Sequence, residues 1–343
     1  MKNFSILILT FTLLHFPGLS FGQATATTKP TTSEAKSDSL KNAYITDAAL
    51  KYPIFRQAYL STDVMGTGNT NAFLYGDPLF KGKIKIVREQ GNFNVPLTAW
   101  GKNSLVGSVS FQNQHFDITP TQNYNAQFPI KYANIDKAVV GFALTYTRKD
   151  SLFDLPVIYN GTVSGYTDQA SAIKKVNYQG TVTFPLKHTE NTSLSLGVVV
   201  IIDPSTPSPV LPVFYYWHKY DNDLELFVDI PTRISLRKQI TENTWASFSS
   251  QLSGSFLFFN LDEPSVPQND TYATFELKTG PSFEYLVSKK VILGVSGGIF
   301  STLTSKDFKQ NTNPNDYFIK NNNSSVPYVN FTISFLPFFR TNK

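Results

Sequence analysis

"YVNFTISFLPFF" (Tyr328–Phe339) lies just before the last four residues, Arg340–Lys343. Val329, Phe331, Ile333 and Phe335 alternate with Asn330, Thr332 and Ser334. Successive side chains of a strand point to opposite faces, so one face of this segment is apolar and aromatic and the other polar. Such a strand suits a place between lipid and a wetter interior. It is expected to close a β-barrel against the first strand. Phe331, Phe335 and Phe339 are the candidate signal for the barrel assembly machinery, with the last four residues as a polar tail.

The same alternation recurs upstream. Leu105, Gly107, Val109 and Phe111 alternate with Val106, Ser108, Ser110 and Gln112, and Ala138, Val140, Phe142, Leu144 and Tyr146 repeat the pattern. So do Val176–Phe184, Leu194–Ile202, Leu224–Ile230 and Phe275–Tyr285. Connector lengths alternate as well. Short ones fall at Gly101–Ser104, Lys149–Asp154, Lys187–Asn191, Tyr220–Asp223, Thr241–Asn243 and Ser288–Lys290. Longer ones fall at Asp117–Ala133, Thr167–Lys175, Asp203–Pro209, Asn260–Thr271 and Leu303–Ser325, with one tight exception at Pro231-Thr232. Short turns on one rim and long loops on the other are the habit of a transmembrane up-and-down barrel. The expected fold is all-β: a closed antiparallel barrel of about 14 strands (roughly 12–16). Its first strand is placed near 54–63. The strand over 81–99 changes apolar phase, from Ile84 and Ile86 to Phe93, Val95 and Leu97, and a bulge near Gly91 would reconcile the two.

Composition agrees. Phe (29) and Tyr (17) are abundant and charged residues are only 16%, which favours strands. There is no cysteine, which excludes disulfides and thiolate metal sites. The net charge of +5 comes without the basic clusters that nucleic acid would require. The chain opens on Lys2, an apolar run over Ile6–Phe16, and Ser20-Phe21-Gly22. This reads as a cleaved signal peptide, residues 1–22, too short for a membrane-spanning helix. Residues 23–53 read as a disordered Thr/Ser/Lys-rich leader and 54–343 as the barrel.

Charged residues on the polar faces are candidates for the bore: Lys83, Lys85, Glu225, Asp229, Arg233, Arg237, Glu276, Lys278 and Glu284. Mixed signs there either line an aqueous pore or pair off and fill it. Trp100, Trp217 and Trp245, with Tyr216, all lie close to short connectors and are expected to form an aromatic girdle at one height. His115 with Ser110 or Asp117 is the nearest approach to a catalytic constellation, a weak one. No catalytic, cofactor-binding or metal-binding residue is expected.

"GNFNVPLTAWGKNSLVGSVSFQ" (Gly91–Gln112) and "LFVDIPTRISLRKQITENTW" (Leu226–Trp245) carry a resemblance. Asn92, Phe93, Pro96 and Leu97, then Ile230, Pro231 and Arg233, match a pattern similar to that of uncharacterised outer-membrane β-barrel proteins of Gram-negative bacteria, a family classed as a domain of unknown function. The resemblance implies a barrel in the cell outer membrane and supplies no substrate. The strand number and the leader also resemble fatty-acid and hydrophobic-compound channels, whose leader plugs the bore. This leader looks too hydrophilic to do so. The function expected is passage of a small or hydrophobic solute, with the outer-membrane bilayer as partner. The alternatives are a lipid-modifying enzyme of the outer membrane or a soluble glycan-binding β-sandwich.

Overall fold

The computed structural model describes residues 45–126, 129–169, 172–206, 208–261 and 266–338. The signal peptide, leader residues 23–44 and Phe339 lie outside the described residues. Antiparallel strands form one continuous sheet: β1 (Ala58–Leu74), β2 (Asp77–Trp100), β3 (Asn103–Asn123), β4 (Ala133–Leu152), β5 (Leu155–Thr167), β6 (Lys175–His188) and β7 (Thr192–Ile202). It continues with β8 (Val210–Lys219), β9 (Leu224–Ile230), β10 (Arg233–Thr241), β11 (Thr244–Phe259), β12 (Asp270–Ser288), β13 (Val291–Lys309), β14 (Tyr317–Asn323) and β15 (Val326–Phe335). β14 and β15 each pair with β13 on one side and β1 on the other, so they are two stretches of one wall position. The sheet therefore closes on itself as a fourteen-position barrel. The seam is the one the C-terminal stripe requires: Leu60 lies opposite Ile333, Thr62 opposite Phe331 and Val64 opposite Val329.

The outer surface explains the alternation. Phe142, Leu144, Val163, Val198, Val200, Ile234, Leu236, Phe248, Phe283, Val295, Phe331 and Ile333 are all exposed on the outside. In water such a surface would drive association; in lipid it is the matching face. The polar partners of the same strands turn inward.

The structure departs from the sequence reading in the extent of several strands, β3 running on to Asn123, and in the path of β2. β1 runs on to Leu74 and meets β2 at a two-residue turn, Tyr75-Gly76, with φ of 50° and 95°. Positive φ at both positions suits the twist of a hairpin, and glycine at the second adopts it freely. Most of Leu303–Ser325 is strand, not loop, because β13 continues to Lys309 and β14 fills 317–323. The bulge near Gly91 is absent: β2 stays in register with β1 from Ile86 to Phe93 and with β3 from Gly82 to Pro96. Ile84 and Ile86 face the bore, where the interior is apolar, while Phe93, Val95 and Leu97 face outward. The surroundings change phase and the strand does not. A Cβ on Gly91 would press on the Phe111 ring, on Leu60 and on the Tyr59 carbonyl, so a larger residue there would have to displace the two outward side chains.

Wall height is uneven. β2, β3 and β4 have 24, 21 and 20 residues, whereas β8, β9 and β10 have 10, 7 and 9. The loop-side ends of the tall strands β11, β12 and β13 are buried on both faces over 255–258, 270–276 and 305–308. Phe256 packs edge-on against Tyr166 of β5, and β11 touches β4, seven positions away around the ring. These strand ends therefore reach across the mouth of the barrel.

Candidate functional site

The bore is the candidate site, and it is filled at three levels. The lowest, at the short-turn rim, is closed by the last part of the leader. Residues 45–51 form a helix (α1) and Pro53–Phe55 a 3-10 turn, so the leader does not extend unstructured to residue 53. The amphipathic run Ile45–Phe55 was masked in the sequence by its hydrophilic neighbours upstream. Ala49 is 0% exposed, seated against Ile292 and Leu336. The Tyr52 ring meets Phe227 edge-on at 5.4 Å, and the Lys51 ammonium lies 4.7 Å from the centre of the Trp217 ring. Arg56 ties the segment down: Nε donates to the Ala49 carbonyl at 3.3 Å, and Nη1 donates to Ser334 Oγ at 3.2 Å and pairs with Glu284 at 2.7 Å. The Gln57 amide donates to the Asn94 carbonyl at 3.1 Å, and its oxygen accepts from Phe338 N–H at 2.6 Å.

The middle level is ionic. Arg88 forks onto Glu276 through two bonds of 2.7 Å, while its Nε donates to Gln114 Oε1 at 2.8 Å. Thr274 adds a bond of 2.6 Å to the same carboxylate. Lys278 pairs with Asp63 at 2.6 Å, and the other Asp63 oxygen accepts from Asn330 at 2.9 Å. Arg237 lies 3.8 Å from both Glu225 and Glu284, and Arg233 pairs with Asp229 at 2.6 Å. Buried charges survive only when paired and hydrogen-bonded. Arg88, Glu276, Lys278, Asp63, Arg233 and Asp229 meet both conditions, whereas Arg237 is paired at longer range and its Nη2 has no hydrogen-bond partner among the described residues.

Seven of the nine charges expected in the bore are thus there: Glu225, Asp229, Arg233, Arg237, Glu276, Lys278 and Glu284. Lys83 and Lys85 are not. They are exposed, on the side of β2 opposite Ile84, Ile86 and Arg88, because the strand keeps one phase throughout. Keeping that phase would also have found Arg88, which sequence reasoning missed; Asp63 and Arg56 carried no comparable signal.

The upper level is apolar. Met65, Ile86, Phe116, Val139, Tyr166, Phe256, Leu257, Phe258, Tyr272, Phe300, Phe308 and Tyr328 form one packed cluster. Beside it lies a cavity of about 20 Å³, lined in part by Gln90, Ser110, Gln112 and Tyr166. That is room for a water molecule and not for a solute.

The expected girdle divides. Trp100 is 47% exposed, with Tyr146 beside it at 6.2 Å, and Tyr216 stacks on Phe214 along the outer face of β8. Trp217 and Trp245 are only 5% and 8% exposed and turn inward, under the cations of Lys51 and Arg237. They lie near the short-turn ends of β8 and β11, but their parity along these strands sends them into the bore. At the seam, Phe331 is exposed outward and Phe335 lies beside Phe338. His115 Nδ1 sits 2.8 Å from Asp136 Oδ1 on the outer surface. Ser110 belongs to the inner face of the same strand, so His115 and Ser110 do not meet.

No family model matches the chain, and no curated protein matches it; the family resemblance therefore rests on the motif residues alone. Among solved structures the chain is similar to an outer-membrane channel from Pseudomonas putida F1, at 7% identity and a TM-score of 0.34, covering 82% of this chain and 96% of that one. It is also similar to a Pseudomonas aeruginosa FadL homologue, at 8% identity and a TM-score of 0.29, covering 81% and 90%. A third is the translocator domain of the autotransporter NalP from Neisseria meningitidis, at 6% identity and a TM-score of 0.27, covering 88% and 95%. The fold itself is read from the chain: a closed, antiparallel, fourteen-position transmembrane barrel of the outer-membrane kind.

Proposed function

We propose that this barrel conducts a small or hydrophobic solute across the outer membrane and that its resting state is closed. The carrying observation is how the bore is filled. A barrel of this width must be open or filled. Here the short-turn end is filled by a segment that enters from the chain's N-terminal side and is not part of the wall. It is held by one buried alanine, edge-on aromatic contacts and the Arg56 network. A purely structural barrel has no use for a separate piece in its bore. Above that segment, paired charges can exchange partners as the segment leaves. The mouth is covered by strand ends that pack mainly side chain to side chain and are tied across the bore by a few side-chain hydrogen bonds, Gln112 to Ser255 at 2.7 Å and Gln310 to the Lys174 carbonyl.

The test is reconstitution of the folded, full-length protein in planar bilayers. Stepwise conductance from a closed baseline supports the reading. Silence from a barrel that keeps heat-modifiable gel mobility would point to a structural or enzymatic role instead. Uptake of a labelled apolar solute into proteoliposomes then separates a hydrophobic cargo from an ionic one.

A further inference from the structure

Two carboxylates at the mouth have no part in the closure described so far. Asp270, at the loop end of β12, is 0% exposed, and neither of its oxygens accepts a hydrogen bond among the described residues. Asp307, near the loop end of β13, is 7% exposed. In the β12–β13 ladder Tyr272 lies opposite Asp307 and Asp270 opposite Lys309, so the two aspartates are diagonal neighbours on one face. Both lie beyond the outward apolar residues of their strands, Phe283–Val287 and Leu293–Leu303. Their surroundings are mainly apolar and hydroxylic: Phe259, Phe116 and Tyr272, whose OH accepts from Ser305 at 3.1 Å, and Asn321, which reaches Ser305 from β14.

Lys309, opposite Asp270, is exposed and makes no ion pair with it, and the other cations around the two aspartates are engaged elsewhere. From β4, the Lys137 ammonium lies over the Phe259 ring at 4.8 Å. From the β5–β6 connection, Lys174 pairs with Asp168 at 2.7 Å. Lys306 donates to the Pro314 carbonyl on the other side of β13, facing Lys320 across the ladder. Deeper on the same face, Glu276 and Arg88 satisfy each other. An ionised carboxylate buried without a partner costs several kcal/mol. A carboxylic acid in the same place costs much less. Burial pushes Asp270 up to about 6, with its own backbone amide, Lys137 and Lys174 opposing, and burial together with the Asp270 charge pushes Asp307 well above the carboxylate range even though the Asn321 side chain hydrogen-bonds it.

We propose that Asp270 and Asp307 form a proton-operated latch: carrying protons, they allow the ends of β11, β12 and β13 to lie across the mouth, and losing those protons to water releases the ends. The sign follows from linkage. A carboxyl group whose closed-state pKa is raised favours closure most at low pH. That preference fades as pH rises from the ordinary value of 3.8 through about 6. From pH 5 to pH 8, Asp270 alone shifts the opening constant by roughly tenfold, and Asp307 adds to it. The physiological role assigned to the latch rests on the proposed solute path, but its test does not.

The test is hydrogen exchange on the full chain in detergent micelles at pH 5 and pH 8, corrected for intrinsic exchange and read over 255–259, 270–276 and 305–309. The expected result is a local opening constant about tenfold or more larger at pH 8, with the amides of β4 and β5 unchanged. Asp270→Asn with Asp307→Asn should abolish the difference while heat-modifiable mobility persists. A flat response in the wild-type chain overturns the latch without any variant, as does a response that survives the double substitution. Protection restored at pH 8 by millimolar calcium overturns it in another way, by making the pair a cation site. Because conductance plays no part, failure here leaves the transport reading standing.

Discussion

The two ends of the bore are closed by opposite chemistry. At the short-turn end a short helix and Arg56 sit among charges, amides and a few apolar contacts, and most of what holds them is directional. At the mouth, Phe256, Leu257, Phe258 and Phe308 belong to one large apolar cluster, and the polar groups buried on the same strand ends are mainly the hydroxyls of Ser255, Thr271, Thr274 and Ser305 and the two latch aspartates. Directional contacts can be exchanged one for another during a movement. Close packing is lost all at once. The lower closure is therefore suited to stepwise release and the upper one to a cooperative change, a contrast that substitution can break.

The largest effect belongs to the ionic level between them. Arg88→Ala strands the Glu276 carboxylate, which is 1% exposed, and is expected to cost about 3–5 kcal/mol in urea unfolding. Replacing both partners together, Arg88→Met with Glu276→Leu, should recover most of that loss, because the cost lies in the orphaned charge. A double variant as damaged as the single one would mean that the pair shapes the barrel and does not merely neutralise itself. Next comes the mouth: Phe258→Ala should cost about 3 kcal/mol and raise exchange over 270–276, leaving α1 protected. The plug should respond more locally. Ala49→Asp buries a charge between Ile292 and Leu336 and is expected to expel α1, seen as a red shift of Trp217 emission once Lys51 and the helix depart, with the barrel still heat-modifiable. The smallest effect is outside: Tyr146→Phe removes a 2.6 Å bond to Asn103 on the outward face at the short-turn rim and should cost no more than about 1 kcal/mol.

The wall was legible in the sequence because alternation is a local property. Each of β3, β4 and β12 shows its two faces within a few residues, and connector length then sorts the rims. The bore was only half legible. Glu225, Asp229, Arg233 and Arg237 lie on the polar face of clearly alternating strands, so their direction could be read. Lys83 and Lys85 could not, because near the mouth the interior turns apolar and the rule of polar inside and apolar outside reverses: Ile84 and Ile86 point in and the lysines out. Trp217 and Trp245 fail for the same reason at the other end, where aromatic rings serve as platforms for cations in the bore. The plug was hidden because its packing partners, Phe227, Ile292 and Leu336, are some 175 to 290 positions away along the chain. No local pattern announces a contact of that range.

The most direct test of a barrel that opens by moving its plug uses the absence of native cysteine. Ala49→Cys with Leu336→Cys places two thiols within one buried cluster that joins the plug to the wall, and mass spectrometry can verify the bond. In single-channel recordings the account expects stepwise openings from a closed baseline under reducing conditions, their loss on oxidation, and their return on reduction. Openings that continue unchanged with the disulfide formed, or a steady open conductance in the wild-type protein, would contradict it.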